Sequence, residues 1–496
     1  MNRPVAPEAV AVHLDPAKIR TIMIGVVLAM LLGALDQTIV ATALPTIGRE
    51  LNDVENLSWV VTAYLLTSTA VTPLYGKLSD VHGRRLMLLV AIGLFLLGSV
   101  ACGLSQNIFA LIAARAFQGL GGGGLMSLGM TIIGDVIAPR ERGRYQAYFA
   151  AIFVTSSIAG PVLGGFFAEY LHWSFIFWIN LPLGLVAYLM TNQVLRLLPR
   201  HDRPHKIDGT GAALMVAATV ALLLALTWGG TTYAWGSAPI LGLLAGSAAL
   251  WAALAARLAM APEPFIPLDV LGHPVVRNGV VATFFAVGTM IGLTVYVPLY
   301  FEAVLGLTAA ESGLALVALM GGTVAGAMIA GRIMMHVEHY KRTAVVGMGV
   351  AALSTAGFAF AATALPFAAV EAVLVVIGLG IGTIFPITTT SIQNAVPPHQ
   401  MGTATGVLNF ARSLGGAILV AGFGAVFLAG AARHADVASV QTIILEGMRD
   451  GVDFGTIFRG VFLAAAAACL IAWIFIVLMQ ELPLRSAHHA PPAEAG

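Results

Sequence analysis

Long apolar stretches with almost no charge recur along the whole chain, and they leave few folds open. Each runs to about 20 residues, the length of helix that crosses a ~30 Å hydrocarbon core. On that criterion fourteen spans fall near residues 20–42, 57–76, 86–104, 108–132, 145–168, 173–195, 209–229, 238–258, 277–301, 310–331, 343–362, 367–390, 403–428 and 457–479. The connections are short, and Gly, Pro or charge clusters mark most of them. Only 10% of the 496 residues are charged and mean hydropathy is +0.90, against about 25% charged in soluble proteins. The chain therefore reads as an all-α integral membrane protein with no soluble domain of any size. A net charge of +1 gives no reason to expect nucleic acid. Cys102 and Cys469 both lie in apolar segments and suggest no disulfide framework. Lys18 and Arg20, an apolar run and Ala-Thr-Ala at 41–43 mimic a secretory leader. That run is too long for a leader core and contains an acid, so it is read as the first span.

Charge placement tests the count. With the N-terminus inside, nineteen of the 25 Lys and Arg residues fall on inner segments. Outer segments hold Arg49, Arg433, Arg449 and Arg459, while Arg115 and Arg412 lie within spans. This bias predicts a cytoplasmic (inner) membrane protein with both termini cytoplasmic. A weak repeat is also visible: "YGKLSDVHGRRLML" follows span 2 and "AGRIMMHVEHYKRTAV" follows span 10. The expected organisation is a cytoplasmic segment at 1–19, a six-helix bundle at 20–195, and a linker with two extra spans at 196–276. A second six-helix bundle follows at 277–479, and then a tail at 480–496. Parallel repeats of this kind place a substrate site near the midplane between the halves.

Asp36 ends a run, from Thr21, that is otherwise uncharged. A free carboxylate there costs several kcal/mol unless it is paired, hydrated or protonated. At ~1.5 Å per residue Asp36 lies about 24 Å from the inner start of its span. Arg115, on a span running the other way, falls in the same outer-half layer. Beside Arg115 and water the acid stays ionised; walled off by apolar side chains it takes a proton. The plainer alternative is an interfacial Asp that caps a helix end.

Four stretches carry further chemistry. The loop after span 2 reads "GKLSDVHGRR", with Gly76, Asp80, Gly83, Arg84 and Arg85. Span 4 holds "LIAARAFQGLGGGG", with Arg115 and Gln118. Span 5 holds "GPVLGG", with Gly160, Pro161 and Gly164, and span 1 ends in "LDQTIVATALPTI". In this order and spacing they resemble the major facilitator superfamily, specifically its fourteen-span drug:proton antiporter branch, over residues 20 to about 480. The resemblance implies two six-helix bundles plus two inserted helices, and alternating access between the bundles. It also implies an inner latch at Asp80 and Arg84, with Asp135 as a further partner, and bending at Gly160 and Pro161. Pro161 removes a helical hydrogen bond, and Gly160 and Gly164 have the small-xxx-small spacing that lets backbones approach. The implied activity is proton-coupled efflux of hydrophobic, amphipathic compounds, with Asp36 as proton carrier and Arg115 as its tuner. A dedicated exporter of a lipid, siderophore or metabolite shares the same motifs.

Other residues are placed more broadly. Glu302, in "YVPLYFEAVLGL", stands where many relatives have Gln, and reads as a rim acid or a second proton site. Glu371 lies about one turn inside span 12. Arg412 and Asn409 read as cavity or helix-bridging residues. Tyr64, Phe117, Gln118, Trp178, Tyr296, Tyr300, Phe385 and Phe410 are candidate cavity residues, since aromatic walls suit bulky amphipathic molecules. "WSFIFWINLP" lacks the Arg that relatives usually carry after the first Trp. "GGGG" at 121–124 is no phosphate loop, because no Gly-Lys-Ser/Thr follows. No cofactor is expected and no ATP site is visible, so transport draws on an ion gradient or runs downhill; the resemblance implies a proton gradient as the energy source. His336 and His339 lack a third ligand for a metal, and no catalytic constellation appears. The expected partners are a small-molecule substrate, protons and membrane lipid, acting on a monomer. Nothing in the sequence identifies a periplasmic adaptor.

Overall fold

A backbone immersed in lipid has to satisfy its polar groups within each helix. The computed structural model, which describes residues 16–197, 208–431 and 453–484, is accordingly a bundle of long helices. The expected segment before residue 16, part of the linker, most of the 429–456 connection and the tail after 484 lie outside the described residues. The first six helices are α1 (Pro16–Glu50), α2 (Leu57–His82), α3 (Arg84–Gly103), α4 (Ile108–Val136), α5 (Arg142–Tyr170) and α6 (Phe175–Gln193). Two more follow, α7 (Gly209–Trp228) and α8 (Ala238–Met260). The last six are α9 (Pro274–Leu305), α10 (Ala309–His336), α11 (Lys341–Ala361), α12 (Phe367–Ala395), α13 (Met401–Ala431) and α14 (Phe454–Leu478). Among the described residues thirteen of these are long and apolar enough to cross a membrane. The other, α5, is 29 residues long, and its stretch 145–168 contains no Asp, Glu, Lys or Arg.

Local signals stop and restart the chain. A single residue, Gly83, separates α2 from α3, and its φ of 90° lies where a side chain would be strained. Gly306 ends α9 in the left-handed region, and two residues later a Thr308–Glu311 capping box starts α10. Asn107 caps α4 by accepting from the Ala110 N–H at 2.8 Å.

Packing sorts the helices into two groups. In the first, α2 and α3 flank α4, α1 lies on α5, and α6 covers α1 and α3. The "GLGGGG" run makes the α4 contacts possible. A Cβ on Gly119 or Gly123 would enter the α2 backbone, and one on Gly121 the α3 backbone. In the second group α9 packs on α13 and α14, α10 on α12, and α11 on α12 and α14. An aromatic cluster of Tyr300, Phe358, Phe458 and Phe462 fills the core of that group. α7 and α8 pair with each other and dock on α2 and α13, with Trp59 against Trp228 and Trp251 against Phe410. The groups meet through α2–α13, α4–α13 and α5–α10.

Candidate functional site

Asp36, on α1, is wholly buried, and three donors from two other helices reach it. Arg115 Nη1 of α4 donates to Oδ2 at 2.6 Å, and Gln118 Nε2, one turn further along, donates to Oδ1 at 2.9 Å. Asn180 Nδ2 of α6 also donates to Oδ1, at 3.1 Å. Ser99 of α3 accepts from both amides, which fixes their orientation. Arg115 keeps partners of its own: Nε donates to the Val60 carbonyl at 3.1 Å and Nη1 to Gln118 Oε1 at 2.6 Å. Its guanidinium lies 4.3 Å from the Tyr64 ring centroid. The depth argument therefore brought the right pair together. The pair sits inside the first helix group rather than on a surface between groups, and Gln118 and Tyr64, expected to face cargo, instead complete the network. Ser99 and Asn180 were missed. Their only signal was a polar side chain in an apolar run.

A second polar assembly joins the groups at the Gly83 end. Asp80, near the end of α2, accepts from the Gly402 N–H at 2.9 Å, the Thr403 N–H at 2.7 Å and Thr403 Oγ1 at 2.6 Å. Those amides belong to the first turn of α13, which has no intrahelical acceptors for them. A carboxylate there is favoured by the helix dipole as well. Arg84 holds Asp80 at 2.5 Å and Asp135 of α4 at 2.7 Å. Gly76 lets the helices close, since a Cβ on it would run into the Gly402 and Gly406 backbone. Arg85 takes no part. It turns to Asn192 of α6 in its own group, so its expected gating role is corrected to a tie within the first bundle.

Beside this tie lies one the sequence gave no reason to expect. Gln393 of α12 donates to the Met130 carbonyl of α4 and to Thr405 Oγ1, and accepts from Arg142 Nη1 of α5 at 3.1 Å. Arg140 Nε adds a bond to the Met335 carbonyl of α10 at 3.3 Å. On the other side of the first group, Gly160 and Gly164 bring α5 against α1. A Cβ on either would meet Thr38 or Thr42, and Thr38 Oγ1 donates to the Ser156 carbonyl at 2.8 Å.

Comparison with known proteins bears on what this arrangement is. The family model described as Major Facilitator Superfamily matches residues 26–420. The chain belongs to the major facilitator superfamily. An uncharacterized MFS-type transporter of Mycobacterium tuberculosis is 33% identical over 98% of this facilitator and 73% of its own length. The multidrug transporter protein MdtP of Bacillus subtilis is 34% identical over 82% and 75%. A solved structure, the human organic anion transporter MFSD10, superposes with a TM-score of 0.62 at 16% identity, over 93% of this chain and all of that one. At that identity the likeness concerns the fold alone. This facilitator is a transporter and not an enzyme.

The structure sorts the remaining candidates of the facilitator. Tyr300 is sealed in the second core and donates to the Ala362 carbonyl at 2.8 Å; it is a packing residue. Tyr296 donates to the Val420 carbonyl at 3.2 Å and packs edge-on to Phe423. Trp178 lies against Gly103 of α3, and Phe410 faces Trp251 of α8. Phe117 is 39% exposed. At 100° per residue it lies about 140° around α4 from Met130, which touches the other group. Tyr300, Tyr296 and Trp178 make these contacts within their own groups, whereas Phe410 belongs to a buried cluster that also takes in Leu74 of α2, where α13 meets the first group. Phe385, Asn409 and Arg412 stand together at such an interface: Arg412 lies 5.4 Å from the Phe385 centroid and donates to Asn409 Oδ1 at 3.0 Å. Glu302 is half-buried three residues from the end of α9. Glu371 leaves Oε1 buried without a hydrogen-bond partner.

Proposed function

We propose that this facilitator exports hydrophobic, amphipathic small molecules by alternating access, driven by protons that Asp36 gains and loses. The observation that carries the reading is the closed Asp36–Arg115–Gln118–Asn180 network inside the first bundle. While Arg115, Gln118 and Asn180 hold Asp36, α1 is tied to α4 and α6. When the acid takes a proton, Arg115 is not left bare, because the Val60 carbonyl, Gln118 Oε1 and the Tyr64 face still solvate it. Neutralising Asp36 thus frees α1 from α4 and α6 and leaves the Arg115 guanidinium on neutral partners alone, a cost the driving force has to meet. The driving force is ample at ~2.3 kcal/mol per charge per 100 mV, with ~1.4 kcal/mol more per pH unit.

In this reading α1 transmits the change to α5 through the Gly160–Thr38 contact, with Pro161 as the weak point of α5. The Asp80–Arg84 tie to α13 and the Gln393 clamp hold the cytoplasmic side shut. The orientation rests on the Lys and Arg bias, and the export direction on relatives named efflux pumps. The test is substrate-induced proton release from purified protein, wild type against Asp36→Asn, across lipophilic cations, anions and neutral dyes. Binding should expel a proton from the wild type and none from the variant. Undiminished release from Asp36→Asn would remove Asp36 from the mechanism and point to Glu302 or Glu371. Tight binding with no release from either protein would remove the coupling itself.

A further inference from the structure

Among the described residues the facilitator buries two arginines away from the helix ends, Arg115 and Arg412, and they are treated differently. Arg115 has Asp36. Arg412, on α13, is only 8% exposed, and no carboxylate of the described residues lies within ion-pair distance of it. Its Nη2 donates to Thr389 Oγ1 of α12 at 2.7 Å, and its Nη1 donates to Asn409 Oδ1 at 3.0 Å and points at Met130 Sδ of α4 at 3.3 Å. All its contacts are neutral. A guanidinium stays charged under any physiological condition, and a buried charge without a counter-ion costs several kcal/mol.

Two further observations give the site a sign and a place. Arg412 Nε has no hydrogen-bond partner, and neither has Asn409 Nδ2. Arginine can only donate, so Asn409 must turn its oxygen to Arg412, and its free group is then the amide. Both orphans are donors. The place is the contact between bundles, eleven residues into α13, about 17 Å along a core ~30 Å thick. Glu371 is too far to serve as counter-ion. Thr389, which Arg412 touches, lies 18 residues further along α12 than Glu371, about 27 Å away.

We propose that Arg412 and Asn409 form an anion subsite between the bundles, and that the exported molecules include amphipathic organic carboxylates. The carboxylate takes the free donors of Arg412 and Asn409, and the apolar body lies along Phe385 and Met130. The proposal rests on the export reading, whose cargo class it names. It sets this chain apart from a carrier whose central charge is a bare acid, which would select lipophilic cations.

The experiment is equilibrium binding to the purified full chain of three probes that share one body: dansylaminoundecanoate, its methyl ester and the matching trimethylammonium compound. Wild type is compared with Arg412→Gln and Arg412→Lys, and proton release is recorded in the same samples. The carboxylate should bind wild type at least about 30-fold more tightly than Arg412→Gln. Arg412→Lys should fall between them, and the ester should not distinguish the three proteins. Equal affinity of wild type for carboxylate and ester, or a preference for the ammonium compound, overturns the proposal even if Arg412→Gln fails to fold. Carboxylate-selective binding without proton release supports the subsite and counts against the coupling. Proton release by the ammonium compound alone does the reverse.

Discussion

Replacing Asp80 by Asn should unlock the end of the molecule at which α2 meets α13. The carboxylate accepts four bonds there, from Gly402 N at 2.9 Å, Thr403 N at 2.7 Å, Thr403 Oγ1 at 2.6 Å and Arg84 Nη1 at 2.5 Å. Three of them cross between the bundles and are broken whenever that end opens. Asparagine offers one oxygen, turns an amide donor toward other donors, and has no charge for the α13 N-terminus. A hydrogen bond to a charged group contributes ~1.5–3 kcal/mol, and an anion at a helix N-terminus up to ~2 kcal/mol when partly buried. Allowing for overlap, the closed end loses about 3 kcal/mol, or about 100-fold in the closed-to-open ratio. Cys102 and Cys469 are both buried, so spin labels on cysteines placed at the exposed His82 and Val337 report that end selectively. Double electron–electron resonance should show a minor long-distance population in the wild type that becomes comparable with the short one in Asp80→Asn. Asp135→Asn, which breaks only the tie to Arg84 within the first bundle, should shift far less. Less than a twofold change in Asp80→Asn, or an equal shift in Asp135→Asn, would refute the reasoning.

Two further outcomes follow from packing and charge. Gly160→Val drives methyl groups into Thr38 and should cost ~1–3 kcal/mol by overpacking, seen as a lower thermal midpoint; Gly165→Val, which meets open space, should not. Asp208 caps α7 through the Gly211 N–H at 3.0 Å and pairs with Arg257 at 3.1 Å. Burial alone would raise its pKa, but these bonds overcome that and hold it below the usual carboxylate range. Because the folded value is depressed, its stabilisation is complete above about pH 4 and is lost as pH falls through the folded value. Asp208→Ala should therefore lower stability by about 1 kcal/mol at pH 7. The gap should narrow at pH 3 in thermal unfolding, and an unchanged gap would exclude the charge from the effect.

Much of this was legible in the residues alone, for a physical reason. Lipid forces each span into a helix of about 20 residues, so counting apolar runs recovers the elements, and a lone acid among them marks itself by its cost. Asp36 and Arg115 could be matched by depth because a helix converts sequence separation into distance at a fixed rise. Asp80, Arg84, Gly160 and Gly164 were legible as motifs. What no spacing contains is rotation about a helix axis and the choice of neighbour. Those put Tyr300 in a sealed core, Phe117 on the outside of α4 and Arg85 against Asn192. They also recruited Ser99, Asn180 and Gln393, whose polarity was visible but whose partners stand tens to hundreds of residues away. Arg412 shows the division most clearly. The sequence placed a cation at mid-depth, and only packing, by surrounding it with Thr389, Asn409, Phe385 and Met130 and with no acid of the described residues, left its charge without a counter-ion.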